Sequence, residues 1–370
     1  MGDETIDLLR DLVSIDSVNP SLVPGGAGEQ AIADHVASYL RELGIDVVLQ
    51  EASGGAPPRP NVIGVIDSGV PGPSLMLCGH SDTVGVEGMA APFDPVIRGG
   101  RMYGRGTQDM KGGCASILGA AKKLAASGGI RKGRLMIAIV ADEEHSSIGA
   151  ETLVKEFRCD AAIVCEPTDM KVAVGHKGFE WVEITTEGVA AHGSRPDEGI
   201  DAIALMGRVL RGVEALDANM PVHPLLGRAS IHASLISGGR ELSTYPDRCT
   251  LHVERRTIAG ESPRVTLREI EAMLEALRKQ DPKFKGSAKF LFTRPPYLTP
   301  GQSPLPKLIG RETMAASFWT DAAILGEAGM GSVVFGPGGA GLHGIDEYVN
   351  LDEVIACRDV LVDVARRFCA

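Results

Sequence analysis

Three short stretches, residues 75–78, 135–140 and 161–165, are continuously apolar. That pattern suits strands buried on both faces of a parallel or mixed sheet. Between the first two, residues 111–127 carry Ala, Ile and Leu on one side and predict a small-residue helix. The alternation predicts a three-layer α/β core. Upstream, Ile6, Leu8, Leu9 and Val13 share a helical face, and a second helix is expected over residues 28–43.

The pattern changes after Lys177. Residues 179–186 predict a strand, and 201–216 a helix with Ile203, Met206, Val209, Leu210 and Val213 in register. Residues 229–236 and 249–253 alternate as strands, 265–277 form an amphipathic helix, and 288–292 a last strand. The order βαββαβ matches a ferredoxin-like, split-βαβ unit. It is expected as an α+β domain over residues 177–293, inserted in an α/β domain of residues 1–176 and 294–370. In the returning chain, 322–325 predict helix, 332–335 a buried strand and 350–370 a closing helix. Hinges are expected near 174–177 and 294–299, the latter marked by Pro295 and Pro296.

A chain of 370 residues fits two domains. Its net charge of −11 argues against nucleic-acid binding, which needs a basic stripe. Seven cysteines stand singly with no Cys-x-x-Cys, so neither a disulfide framework nor a thiolate zinc site is indicated, and a reducing cytoplasm fits best. The start Met1-Gly-Asp-Glu-Thr-Ile6 is no signal peptide, and no apolar stretch is long enough to span a bilayer.

The candidate chemistry gathers where the apolar runs end. Glu143 and Glu144 follow the run 135–140. Paired buried acids repel and are costly unless a cation neutralises them. A metal ion would do so, and its water would need a carboxylate base. An acidic surface turn is the plainer alternative. His80-Ser-Asp82 follows residues 75–78: His80 offers one ring nitrogen to a metal, and Asp82 can accept the other N–H. Gly104-Arg-Gly-Thr-Gln-Asp109-Met-Lys-Gly-Gly113 places Asp109 where a loop becomes helix; a carboxylate there can bridge two cations, although taken alone the common N-cap explains it better. Glu166 before Pro167 ends the third run. His343 sits in a loop whose glycines, Gly338 and Gly339 among them, permit close backbone approach to a ligand. Nitrogen and oxygen ligands without thiolates suit zinc, cobalt or manganese, and two ions sharing Asp109 would lie about 3.5–4 Å apart.

This order of motifs resembles the di-zinc aminoacylase/carboxypeptidase family, which includes acetylornithine deacetylase, succinyl-diaminopimelate desuccinylase and carboxypeptidase G. The likeness covers essentially the whole chain. It implies a three-layer catalytic domain with an inserted lid and dimerisation domain. It implies two divalent ions, most simply zinc, one on Asp109, Glu144 and His343 and the other on His80, Asp109 and Glu166. Glu143 would be the general base, and Asp82 would orient His80. The segment Ala191-His192-Gly-Ser resembles the lid histidine that polarises the scissile carbonyl in the neighbouring subunit's site. Ser243-Thr-Tyr-Pro246 and Arg256 resemble the carboxylate-holding segment, with Ser243 where many members have Asn and Arg255 adjacent to Arg256. The expected activity is hydrolysis of an N-acyl amino acid bearing a free carboxylate, by a homodimer. A carboxypeptidase or dipeptidase is the alternative, and a non-catalytic binder of amino-acid conjugates a more distant one. A serine hydrolase is disfavoured, since no Gly-x-Ser-x-Gly occurs.

Overall fold

In the computed structural model, residues 3–53 and 57–370 are described. The chain divides into two units: residues 1–175, 299–314 and 320–370, and residues 176–298 with 315–319. The boundaries near 175 and 298 fall within the expected hinges. The stretch Ala315–Trp319, expected in the larger unit, belongs to the smaller one. There Trp319 donates through Nε1 to Pro295 O at 3.1 Å and meets Phe179 edge-on, with 6.3 Å between ring centroids.

The larger unit is built on a mixed sheet. Its strands run in the order Asp46–Glu51, Pro60–Asp67, Arg134–Val140, Ser74–His80, Ala161–Val164, Gly331–Val334 and Val172–His176. Strands 74–80, 134–140, 161–164 and 331–334 are mutually parallel, so their carboxyl ends share one edge. The apolar runs are continuous because both faces are covered. Leu75, Leu77, Leu135 and Ile137 join one cluster with the helices Glu4–Ser14, Gln30–Glu42, Gly112–Ala126 and Leu351–Phe368. The alternate residues Met76, Cys78, Met136 and Ala138 are buried outside that cluster. The helices Ile148–Glu156 and Ala322–Glu327 pack toward the sheet and against each other. This is the expected three-layer arrangement.

The smaller unit is a four-stranded antiparallel sheet in the order Ser230–Gly238, Arg248–Thr257, Gly178–Glu187 and Lys285–Arg294. Its core lies against the helices Ala202–Ala218 and Val265–Gln280 through Val182, Ile184, Leu251, Met206, Val209, Ile270 and Leu274. The chain order is the βαββαβ read from the sequence. Among the described residues, no helix is long and apolar enough to cross a membrane.

Candidate active site and metal centre

Four parallel strands deliver the site's residues to one edge, where ligands gather in α/β sheets. His80 is the last residue of its strand. Asp142, Glu143 and Glu144 follow the strand ending at Val140, and Glu166 follows the one ending at Val164. Asp109 comes from the loop entering the helix Gly112–Ala126, and its peptide bond to Met110 is cis. Gly113 lets that helix start close to the Glu166 strand: a Cβ there would meet Cys165 O at 2.0 Å.

Two trios of ligand atoms result, His80–Asp109–Glu166 and Asp109–Glu144–His343, each within 4.8 Å of one another. Asp109 faces both. Its Oδ1 lies 3.1 Å from His80 Nε2, and its Oδ2 lies 3.3 Å from His343 Nε2. His80 Nε2 is 3.6 Å from Glu166 Oε1, and His343 Nε2 is 3.1 Å from Glu144 Oε2. The five candidate ligands are therefore brought together around one shared carboxylate. No cysteine joins either trio.

The arrangement fits a pair of divalent cations. Burial, with neighbouring acids adding to it, holds Glu143 and Glu166 well above the usual carboxylate range and lifts Glu144 to about 7. Burial opposes charge on His80, yet Glu166, Asp109 and Asp82 outweigh it and keep the imidazole well above its ordinary pKa. Hydrogen bonds to Asp109 and Glu144 raise His343 to about 10. A field negative enough to hold protons on two imidazoles favours a cation in their place. Glu144 Oε1 is buried with no hydrogen-bond partner among the described residues, an orphan that a cation would satisfy. Three protein ligands per ion would leave positions open for solvent and substrate, the pattern of a catalytic centre.

Asp82 differs from expectation in one respect. His80 Nδ1 lies 3.0 Å from the Asp82 carbonyl oxygen and 3.6 Å from its carboxylate. A carbonyl only accepts, so Nδ1 donates to it, leaving Nε2 to face the metal ligands. The Asp82 carboxylate also accepts from the backbone N–H groups of Glu143 at 3.1 Å and Glu144 at 3.2 Å, and from Asn19 Nδ2 at 2.8 Å. It pins the backbone of the acid pair, while its own main chain orients His80.

Gly338 and Gly339 are backed by the protein on their Cβ side. A Cβ at Gly338 would meet Asp169 Oδ1 at 2.2 Å, and one at Gly339 would meet Tyr348 O at 2.0 Å. On that side both backbones approach other parts of the same chain.

The remaining candidates belong to the smaller unit. His192 is exposed, with Nδ1 2.8 Å from Ser194 Oγ, and bridges in backbone to Thr244, beside Ser243. The Ser243 carbonyl accepts from Gly193 N at 2.7 Å. Arg255 is buried and committed to Glu261 and Glu269. Arg256, its neighbour, bonds Glu254 at 2.7 Å and lies over the Phe179 ring at 5.6 Å.

Sequence reasoning passed over the partners that hold the ligands. Glu347, Arg105, Asn19, Arg59, Glu29 and Asp142 are all buried. Arg105, Asp142 and Glu347 stand within or beside the motifs that carry the candidate ligands, whereas Asn19, Glu29 and Arg59 lie far from them in sequence.

Residues 76–367 match the profile of peptidase family M20/M25/M40. The chain belongs to this family. A peptidase M20 domain-containing protein of Schizosaccharomyces pombe is 30% identical over 357 residues, covering 95% of this chain and 82% of the relative. An acetylornithine deacetylase of Photorhabdus laumondii is 28% identical, covering 98% of this chain and 97% of its own. The crystal structure of an M20 family metallo-carboxypeptidase from Sulfolobus solfataricus superposes with a TM-score of 0.80 at 16% identity, covering 99% of each chain, and shares the fold. The M20 chain described here is an enzyme, a di-metal amidohydrolase of the metallopeptidase type.

Proposed function

We propose that this M20 enzyme hydrolyses the amide bond of N-acyl-L-amino acids that carry a free carboxylate. The observation that carries the reading is Asp109, whose two oxygens face two separate ligand trios beside the partly buried Glu143. His80, Asp109 and Glu166 would hold one ion, and Asp109, Glu144 and His343 the other. When bound, the ions supply Lewis acidity and bring a water's pKa toward neutrality. Glu143 takes the proton of the attacking water as its oxygen bonds to the acyl carbon, then delivers that proton to the amine as the C–N bond breaks. Asp82 and Asn19 keep the Glu143–Glu144 backbone in place throughout. We assign His192 to the carbonyl oxygen, and Arg256 with Ser243 to the substrate carboxylate.

The likeness to an acetylornithine deacetylase over nearly the full length of both chains favours the deacylase. The carboxypeptidase or dipeptidase is the second reading, favoured by the fold shared with a metallo-carboxypeptidase. A panel of N-acetyl, N-succinyl and N-aminoacyl amino acids separates them. Turnover should vanish on chelation and return with zinc, cobalt or manganese, with the acyl series cleaved faster than the dipeptides. Activity indifferent to chelation defeats the di-metal mechanism; faster dipeptide cleavage selects the second reading. Esterifying the substrate carboxylate should raise KM, and an unchanged KM removes Arg256 from its role.

The same proposal includes a homodimer through the smaller unit, working in the cytoplasm. Ser230–Gly238 is an edge strand, and Leu235 and Ile236 on it are 67% and 55% exposed. Apolar edges of this kind invite pairing with a second copy. Leu235→Lys should shift the mass measured by light scattering from dimer to monomer; an unchanged mass argues against this edge as the interface. All seven cysteines are free and buried, in keeping with a reducing compartment.

A further inference from the structure

We infer that Glu347 and Arg105 form a buried clamp that sets His343 relative to Asp109, so that the Asp109–Glu144–His343 site depends on it more than the His80 site does. The inference rests on the two-metal reading above and adds positioning residues to it.

Both side chains are almost wholly buried, Arg105 at 2% and Glu347 at 1% exposure. The Glu347 carboxylate is spent on the loop that carries Asp109. Its Oε1 accepts from Gln108 N at 2.8 Å and Asp109 N at 3.1 Å. Its Oε2 accepts from Gly106 N at 2.9 Å and from Arg105 Nη1 at 2.6 Å. Glu347 is thus absent from both ligand trios, although it lies next to one of their ligands. The Arg105 fork then reaches away from the loop. Its Nε donates to Gly85 O at 3.0 Å, and its Nη2 to His343 O at 3.4 Å. One ion pair therefore joins the backbone of the bridging Asp109 to the backbone of His343.

The two sites do not share this dependence equally. His80 ends a strand paired on both sides, to 134–140 and 161–164, which fixes it without the clamp. His343 has a left-handed backbone, φ 59°, and a side chain 55% exposed, so little packing holds its ring. The turn around it closes locally, Gly344 N to Gly341 O at 2.7 Å. A metal ligand on such a loop depends on the partners that anchor the main chain. Asp109 is common to both sites, but a shift of its loop moves Oδ2 against a freed His343 and Oδ1 against a fixed His80.

The test uses the full chain in three forms: wild type, Glu347→Gln and Arg105→Lys. Gln keeps the shape of Glu347 but turns one acceptor into a donor facing N–H groups. Lys keeps a positive charge for Glu347 but loses the fork to His343 and Gly85, and it carries the test if Glu347→Gln does not fold. Metal-free protein is titrated with zinc by calorimetry, and bound metal is counted after dialysis. Wild type should take two ions. Each variant should weaken one ion by about 10–100-fold and leave the other within about threefold, the span typical when a ligand's support is removed. His343→Ala should lose the same ion as the variants. A purely structural part for the clamp predicts a lower melting temperature with both affinities unchanged, and that result overturns the inference, as does equal weakening of both ions. Wild type taking fewer than two ions overturns the two-metal reading itself, a failure visible before any variant is measured.

Discussion

Glu143→Gln should lower kcat by about 10²–10⁴-fold, the span associated with a positioned general base. That equals about 3–5 kcal/mol of lost transition-state stabilisation. The amide matches the carboxylate in size but cannot take a proton. Glu143 belongs to neither ligand trio, so the variant should keep both ions. Its environment suits a base that must hold and then release a proton. Burial first, then the Glu166, Asp321 and Glu144 carboxylates, push its pKa well up, with His80 opposing them. Glu144→Ala separates the neighbouring roles. It removes a ligand of the second trio, so one ion should be lost with the turnover. Steady-state kinetics with metal counting on the same samples reads both. Wild-type turnover in Glu143→Gln excludes it as the base; loss of metal there places it among the ligands instead.

The candidate ligand cluster was legible for a physical reason. His80, Glu144 and Glu166 each stand at or just beyond the end of an apolar strand, where a buried polar group is costly without a purpose, while His343 was marked by its glycine-rich loop. The Asp109 loop was legible from its glycines. What was missed depends on contacts distant in sequence. Glu347 and Arg105 are separated by 242 positions, and nothing local marks either as a partner. The His-x-Asp spacing does not reveal that the turn after His80 brings the Asp82 carbonyl to 3.0 Å from Nδ1, closer than its carboxylate at 3.6 Å. Gly338 and Gly339 show how far a glycine signal goes: it reveals that something approaches closely, here Asp169 and Tyr348 on the Cβ side, and leaves the other face unspecified. Among the elements, Asp46–Glu51 escaped notice because it is an edge strand: Val48 and Leu49 are 45% and 40% exposed, and the apolar pattern is weak. The ferredoxin-like unit was legible because its strands and helices alternate on one covered face.

Arg59→Ala should destabilise the larger unit by about 3–5 kcal/mol, the cost of leaving buried charges without their partner. The Arg59 side chain is 5% exposed, with Glu29 at 0% and Asp142 at 1%. Its guanidinium pairs with both Glu29 oxygens and reaches Asp142 Oδ1 at 3.0 Å. Asn19 continues the chain, donating to Asp142 Oδ1 at 3.0 Å and to Asp82 Oδ2 at 2.8 Å. Asp142 has φ 66° and precedes Glu143, so the network supports the turn that presents Glu143, the proposed base. Urea unfolding should show the loss, and Arg59→Lys should recover part of it, since one ammonium cannot span both acids. The pH dependence has a definite sign. Burial already raises Glu29 above its unfolded pKa, against the pull of Arg59. Removing that pull raises it further, so the folded variant binds more protons than the unfolded chain and gains stability as pH falls. The deficit should therefore be greatest at neutral pH and shrink on acidification toward the Glu29 pKa. A deficit that grows on acidification would mean that Glu29 is not the carboxylate Arg59 compensates.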